Sequence, residues 1–209
     1  MKLFVVGATG RTGSLVVQQA LARGHEVTAF TRRPQAVTLR DPHLRVAIGD
    51  GLSLDDLAQL AGHDAVLSIV AAPDLKQTTV AEQVTRNLVR AMSNHGVRRI
   101  VVTSSHALVA TRPKLAVAFI RMVLRHSYAD ARNMEAVLRQ SSLDWRIVRA
   151  NRLIDKSGVG SVVRMPDGQD FVGGVSELTR ADLAATLLDV VADDTLTRQA
   201  IEVTGARRA

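Results

Sequence analysis

Hydrophobic residues along the first half of the chain fall into two alternating patterns, short continuous runs and longer sets with helical spacing. The continuous runs predict strands over residues 3–6, 26–31, 44–48, 65–70 and 99–103. Apolar positions three and four residues apart predict helices over 14–22 and 80–95, and Ser53, with Asp56 three residues later, marks the start of another helix. Strands that alternate with helices in this way predict an α/β fold, a doubly wound parallel sheet with helices on both faces.

The second half of the chain is less regular. Its clearer elements are a helix over 128–140, a strand over 143–148, a helix over 180–192 capped by Thr179 or Ser176, and a closing strand over 200–203. The apolar segment 115–124 predicts a helix that belongs to the core or covers an apolar substrate. Pro166-Asp167-Gly168 predicts a hairpin turn between 162–163 and 171–172. We expect a single domain over 1–209, with a small C-terminal extension on the substrate side.

The composition is that of a globular protein. Hydrophobic residues make up 46% and charged residues 22%, which excludes a disordered chain. The chain has no cysteine, which excludes disulfides, thiolate metal sites and a cysteine nucleophile. No segment approaches the roughly 18 apolar residues of a membrane span, and Gly7 ends the opening apolar run too early for a signal peptide. We therefore expect a cytoplasmic protein with no membrane partner.

The net charge of +7, from 27 Lys and Arg against 20 Asp and Glu, is compatible with a phosphorylated or nucleic-acid ligand. The basic residues are scattered, and neither a helix-turn-helix nor an RNA-binding signature is present, so we expect no nucleic-acid partner. The six histidines lack the spacings of metal ligands, and no metal is expected.

A glycine-rich turn follows the first predicted strand and opens the first predicted helix. Residues 7–13 read Gly-Ala-Thr-Gly-Arg-Thr-Gly, which spaces Gly7, Gly10 and Gly13 by three residues. In a strand–turn–helix unit, such glycines permit a tight turn, a close approach of the backbone to a pyrophosphate, and packing of the helix on the strand. The helix N-terminus adds N–H groups and a partial positive charge. The segment therefore predicts a dinucleotide-binding loop.

The end of the second predicted strand indicates which dinucleotide is bound. An NAD-binding chain places an acidic residue there to hold the ribose hydroxyls. This chain has Arg32 and Arg33 there and no acidic residue. Because a guanidinium group binds a 2′-phosphate with paired hydrogen bonds, the sequence predicts NADP as the cofactor. The alternative is that these arginines are exposed loop cations.

Three further strand ends fall on the edge of the sheet where such a ligand binds. Asp50 and Gly51 follow the third strand, where the carboxylate accepts a hydrogen bond from adenine or stabilises the turn. Val70 and Ala71 end the fourth strand with small side chains that leave room for the adenosine. His106 follows the fifth strand and is either a donor to a substrate or an ordinary loop residue.

Together these segments resemble the atypical short-chain dehydrogenase/reductases. The resemblance is carried by the glycine loop, Arg32, Gly49-Asp50, Thr79-Val80, Thr103-Ser104 and the run 137–145. It is closest to the NADPH-dependent flavin reductase/biliverdin-IXβ reductases and the NmrA-like NAD(P)-binding proteins, and it spans about residues 1–205. The resemblance implies a Rossmann fold.

The resemblance also implies roles for individual residues. It assigns the pyrophosphate to Thr9, Gly10, Arg11 and Thr12, the 2′-phosphate to Arg32 with Arg33 beside it, the adenine to Asp50 and Gly51, the adenosine to Val70 and Ala71, and the nicotinamide surroundings to Ser104, Ala150, Asn151 and Arg152.

One segment departs from the pattern of short-chain dehydrogenases. They carry a Tyr-x-x-x-Lys pair, in which the lysine lowers the pKa of the tyrosine, whereas this chain has Tyr128 followed by Arg132. The proline common after the sixth strand is also absent. In a flavin- or biliverdin-type reduction no such tyrosine is needed, because hydride passes to a conjugated ring and solvent supplies the proton. Ser104 and Tyr128 are the candidate catalytic residues.

Two functions are consistent with the sequence. The first is an NADPH-dependent oxidoreductase that reduces a small conjugated molecule such as a flavin, tetrapyrrole or quinone. The second is an NmrA-like sensor that binds NADP(H) without turnover, which the departure at Arg132 favours. Ser104 in the nicotinamide region favours the first. The resemblance implies a monomer.

Overall fold

The computed structural model describes residues 1–70, 79–110, 122–169 and 177–206. Its strands are β1 (Lys2–Val6), β2 (Glu26–Thr31), β3 (Leu44–Ile48), β4 (Ala65–Ser68), β5 (Arg99–Ser105), β6 (Asp144–Ala150), β7 (Leu153–Ile154), β8 (Val162–Pro166), β9 (Leu178–Thr179) and β10 (Gln199–Gly205). Its α-helices are α1 (Arg11–Ala22), α2 (Leu54–Leu57), α3 (Val80–His95), α4 (Arg125–Gln140) and α5 (Arg180–Ala192), and short 3₁₀ helices cover Pro34–Ala36, Ala58–Leu60 and His106–Leu108. Within these ranges, no helix is long and apolar enough to cross a membrane.

Eight strands form one sheet in the order β3-β2-β1-β4-β5-β6-β10-β8. All neighbours in it are parallel except β10 and β8, which are antiparallel. The strand order reverses between β1 and β4, and this reversal opens a crevice at their carboxyl ends. The predicted doubly wound α/β fold is therefore confirmed. Strands β7 and β9 form a separate parallel pair.

The core has two halves, one on each face of the sheet. In β1, Leu3 and Val5 pack in a cluster with α1 and α5, whereas Phe4 packs in a second cluster with α3 and α4. Successive side chains of a strand point to opposite faces, so a strand covered on both sides is apolar at every position. This explains why the central strands are continuous hydrophobic runs in the sequence.

The last part of the sheet differs from the expectation. The predicted turn is present, because Gly168 has a φ of +77° and the N–H of Gln169 donates to the carbonyl of Pro166 at 3.3 Å. Strand β8 pairs with β10, a contact far apart in the sequence, and this contact was not predicted. The segment 171–172, which was expected to complete a hairpin, lies outside the described residues.

Two other predictions in this half have partial outcomes. Thr179 caps α5, since its hydroxyl accepts the N–H of Asp182 at 3.0 Å, while Ser176 lies outside the described residues. Of the predicted helix over 115–124, only the last three residues are described. Met122 and Val123 are 62% and 44% exposed, which is not the burial expected of core residues.

Candidate functional site

A cavity of about 240 Å³ lies at the carboxyl ends of β4, β5 and β6. Parallel strands bring their carboxyl ends to one edge of the sheet, where doubly wound folds bind ligands. Ser104 from β5 and Tyr128 from α4 line the cavity, together with Thr12 from the glycine loop and Val70 after β4. The fold thus brings these four predicted site residues together from four separate segments.

A second, more polar cleft of about 410 Å³ lies at the opposite edge of the sheet, at the amino ends of β1, β2 and β3. Its lining includes Lys2, His43 and His63, and none of the predicted site residues. Because the glycine loop follows the carboxyl end of β1, the smaller cavity is the one that adjoins it.

Gly7 and Gly13 shape the loop between β1 and α1. Gly7 has a φ of +84°, and a Cβ atom there would lie 2.5 Å from the carbonyl oxygen of Ile69. A Cβ atom on Gly13, which is buried, would collide with the backbone of Gly7. Both positions require glycine because the backbone packs too closely for a side chain, and Gly7 also because of its positive φ.

Gly10 has a different environment, because it is exposed and lies at the N-terminal end of α1. Its φ of −74° and ψ of 164° are accessible to any residue, and no side chain caps the helix. The first backbone N–H groups of α1, those of Arg11 and Thr12, therefore carry the partial positive charge of an uncapped helix end. This loop fits a phosphate group, since it offers donors and leaves no side chain in the way.

The side chain of Arg11 lies on the rim of the site. It forms an ion pair with Asp155 at 2.9 Å, and the same carboxylate pairs with Arg180 at 2.7 Å. Arg11 and Asp155 are largely exposed. The pairing links the glycine loop to the segment after β7 and leaves the backbone of Arg11, rather than its side chain, in the loop.

Hydroxyl groups connect the glycine loop with the end of β2. The hydroxyls of Thr9 and Thr31 are 3.2 Å apart, and Thr31 also accepts the backbone N–H of Arg33 at 3.0 Å. The side chain of Arg33 is exposed. These contacts fix the turn that carries the two predicted arginines.

Arg32 and Asp50 lie beside each other across the ends of β2 and β3. Their charged groups are 3.7 Å apart, and the Arg32 side chain is 73% exposed. Asp50 also accepts the N–H of Leu52 at 3.0 Å, which is the turn-stabilising role considered from the sequence. The carboxylate therefore holds its own turn and lies next to the arginine predicted to bind the 2′-phosphate.

Gly51 faces the helical layer. It is buried, a Cβ atom there would come within 3.0 Å of Val84, and its carbonyl accepts from the Asn87 side chain at 3.3 Å. Its small size lets the loop after β3 pack on α3.

Ser104 is tied to a buried charged residue that the sequence did not indicate. Its hydroxyl donates to Oε1 of Glu135 on α4 at 2.7 Å. Arg149 from β6 binds both oxygens of this carboxylate, through Nε at 2.9 Å and Nη2 at 2.6 Å. Glu135 and Arg149 are only 6% and 4% exposed.

Ser104, Glu135 and Arg149 belong to a larger hydrogen-bonded network beneath the cavity. Nη1 of Arg149 donates to Glu202 of β10 at 2.8 Å and to Asp167 at 2.6 Å. Burial lowers the pKa of Arg149, but the hydrogen bond and charge of Glu135 and the hydrogen bonds to Glu202 and Asp167 outweigh it and raise the pKa above its ordinary value. Arg149 is therefore a permanent cation shared by three carboxylates.

His106 is not an ordinary loop residue. It is 3% exposed, and its Nδ1 lies 2.6 Å from Oε2 of Glu202. This contact attaches the end of β5 to the same network. The alternative of an ordinary loop residue did not include this contact, in which Glu202 of β10, two strands away from β5 in the sheet, is the buried polar partner.

Tyr128 and Arg132 occupy different environments. Tyr128 lines the cavity and is 8% exposed, whereas Arg132 is exposed and does not line it. Asp130, between them, accepts the backbone N–H groups of Ala81 and Glu82 at 3.0 and 2.8 Å and so caps α3 from outside. The arginine in the place of the family lysine is thus not in the site with the tyrosine.

The remaining predicted site residues are Ala150, Asn151, Arg152 and Ala71. Ala150 lines the cavity, while Asn151 binds β10 through its N–H to Val203 at 3.0 Å. Arg152 is exposed, 3.6 Å from Glu177. Ala71 lies outside the described residues.

The fold and the glycine loop define a dinucleotide-binding protein of the Rossmann class. The chain belongs to the NAD(P)H-binding family, whose sequence pattern matches residues 7–194. This confirms the class that the sequence predicted.

Among the proteins similar to this chain are a plant protein and two reductases. An uncharacterised chloroplastic protein of Arabidopsis thaliana is 30% identical over 200 residues, covering 90% of this chain and 71% of that protein. A divinyl chlorophyllide a 8-vinyl-reductase of Cucumis sativus is 26% identical over 231 residues, covering 99% of this chain but only 53% of the reductase. The structure of an anaerobilin reductase from Escherichia coli O157:H7 superposes with a TM-score of 0.79 at 20% identity, covering 100% of both chains.

Proposed function

We propose that the protein is an NADPH-dependent reductase that transfers hydride to a conjugated acceptor, with tetrapyrroles the favoured class. The observation that carries the proposal is the cavity in which Ser104 and Tyr128 adjoin Thr12 of the glycine loop. Two similar proteins are named as reductases of a chlorophyllide and of anaerobilin, and this favours tetrapyrroles over other acceptors.

The residues present fit the cofactor. The uncapped N-terminus of α1 and the side-chain-free surface at Gly10 would hold the pyrophosphate. Arg32, with Asp50 beside it, would hold the 2′-phosphate. When bound, the cofactor supplies the hydride. The apolar side chains and hydroxyls of the cavity would orient the acceptor.

The direct test is oxidation of NADPH by the purified protein with biliverdin, FMN or menadione, followed by the absorbance of NADPH. We expect turnover with at least one of these acceptors and the highest kcat/KM with biliverdin. Tight NADPH binding with no oxidation by any acceptor would contradict the proposal and support the NmrA-like sensor.

Cofactor choice is tested by Arg32→Asp. The substitution removes a cation and places a negative charge beside the 2′-phosphate, so we expect NADPH affinity to fall by about 10- to 100-fold, the value of one or two charge-assisted hydrogen bonds. NADH affinity should change little. Titration calorimetry measures both, and Arg33→Asp is the matched control with a smaller effect. Equal affinities of the wild-type protein for NADPH and NADH would contradict the assignment.

The source of the proton is tested by Tyr128→Phe. Arg132 is exposed and does not line the cavity, which favours solvent over Tyr128 as the source of the proton. We therefore expect kcat within a few fold of wild type, whereas loss of a positioned general acid costs about 10²–10⁴-fold. Steady-state kinetics with unchanged NADPH affinity separates the two cases. A collapse of kcat would make Tyr128 the proton donor.

A further inference from the structure

The hydrogen of the Ser104 hydroxyl is already used within the protein. It is donated to Oε1 of Glu135 at 2.7 Å, and both oxygens of that carboxylate also accept from Arg149. A carboxylate bound by a guanidinium on both oxygens can only accept further hydrogen bonds, so Ser104 has to be the donor. A hydroxyl has one hydrogen and two lone pairs. Toward the cavity, Ser104 therefore presents lone pairs.

This arrangement is fixed. Glu135 and Arg149 are almost completely buried, and Arg149 is itself held by Glu202 and Asp167 at 2.8 and 2.6 Å. Rotating the hydroxyl toward a ligand would leave Glu135 one hydrogen bond short in a buried position, which is costly. A ligand that needs a donor, such as a bare carbonyl oxygen, gains nothing from Ser104 in this state.

We infer that Glu135 is a positioning residue that makes Ser104 a hydrogen-bond acceptor, and that the ligand group facing Ser104 is an N–H donor. The inference deepens the proposed function and rests on it. Flavins and metal-free tetrapyrroles carry ring N–H groups, whereas simple quinones offer only carbonyl oxygens. The site should therefore favour the first two classes. The carboxamide of the nicotinamide is another N–H donor, so the partner is either the acceptor or the cofactor.

Two matched ligand pairs show whether the N–H group that faces Ser104 belongs to the cofactor or to the acceptor. NADPH is compared with its 3-acetylpyridine analogue, in which a methyl group replaces the carboxamide nitrogen. FMN is compared with N3-methyl-FMN, which lacks one ring N–H group. In the Ser104→Ala variant, we expect the Kd of the N–H member of one pair to rise about tenfold, the value of one hydrogen bond, with its partner within twofold. Calorimetry measures binding without turnover.

The role of Glu135 is tested by Glu135→Met, alone and combined with Ser104→Ala. Methionine removes the acceptor at similar volume and leaves Arg149 paired with Glu202 and Asp167. The freed hydroxyl can then donate to a ligand. The preference for the N–H ligand, measured as the ratio of the two Kd values within a pair, should therefore fall to less than twofold. In the Ser104→Ala background, Glu135→Met should change that preference no further, because it acts only through the serine.

Ser93→Ala is the control, since it removes an exposed hydroxyl on α3 that donates to Val89 at 2.8 Å. Should Glu135→Met fold poorly, Glu135→Asp keeps the charge but shortens the reach toward Ser104 and should reduce the preference in the same way. The Ser104→Ala comparison stands without either, because it leaves the Glu135–Arg149 pair intact.

The outcomes separate the two proposals. If Ser104→Ala weakens both members of each pair equally, or if the Ser104→Ala and Glu135→Met effects on the preference add, the acceptor role of Ser104 is overturned even in a working reductase. If the wild-type protein reduces no acceptor, the reductase proposal fails, while selective loss of NADPH affinity over its analogue still supports the Ser104 assignment.

Discussion

Gly10→Val is expected to abolish NADPH binding while the protein stays folded. Gly10 is exposed, its backbone angles are accessible to valine, and a Cβ atom there would lie 3.2 Å from the carbonyl oxygen of Gly7, so the loop can form with a small shift. The branched side chain would stand where the pyrophosphate has to reach the first N–H groups of α1. Loss of about two charge-assisted hydrogen bonds corresponds to a fall in affinity on the order of 100-fold or more. Titration calorimetry and thermal unfolding measure the two properties.

Gly13→Ala provides the contrast, because a Cβ atom at that buried position would meet the backbone of Gly7. We expect this smaller substitution to lower the melting temperature clearly, and by more than Gly10→Val does, because a Cβ atom at Gly10 approaches the Gly7 backbone less closely than one at Gly13. If Gly10→Val binds NADPH as the wild type does, the assignment of the pyrophosphate to this loop is wrong.

Arg149→Leu is expected to destabilise the fold by about 3–5 kcal/mol, because it leaves the buried carboxylates of Glu135 and Glu202 without their cation. The free energy of unfolding in urea measures the loss. The control is Arg86→Leu, which removes an exposed ion pair with Glu82 one helical turn away on α3 and should cost less than about 1 kcal/mol. Equal losses in the two variants would show that the buried network contributes no more than a surface pair.

The first half of the fold was predictable because its signals are local. Each central strand is a continuous apolar run, and the glycine loop needs only seven consecutive residues to be recognised. The pairing of β8 with β10 was not predictable, since it joins segments more than 30 residues apart with no turn between them to indicate the register.

The charged network beneath the cavity was missed for a related reason. Glu135 lies in an ordinary amphipathic helix, and nothing in its local sequence indicates that it faces a strand. A signal was nevertheless present: Arg149 and Glu202 each lie in a strand segment whose neighbouring residues are apolar, Ile147-Val148-Arg149-Ala150 and Ala200-Ile201-Glu202-Val203. Opposite charges in two buried strands have to find partners, which predicts that those strands are neighbours.

The cap of α3 by Asp130 makes two helices mechanically dependent on each other. Asp130 follows Tyr128 by two residues on α4, and its oxygens hold the N–H groups of Ala81 and Glu82. A ligand that displaces α4 to enlarge the cavity would also pull the carboxylate of Asp130 away from the N-terminus of α3. Movement of α4 therefore either carries α3 with it or breaks this cap. Amide hydrogen exchange at Ala81 and Glu82 therefore reports on displacement of α4, which forms one wall of the cavity.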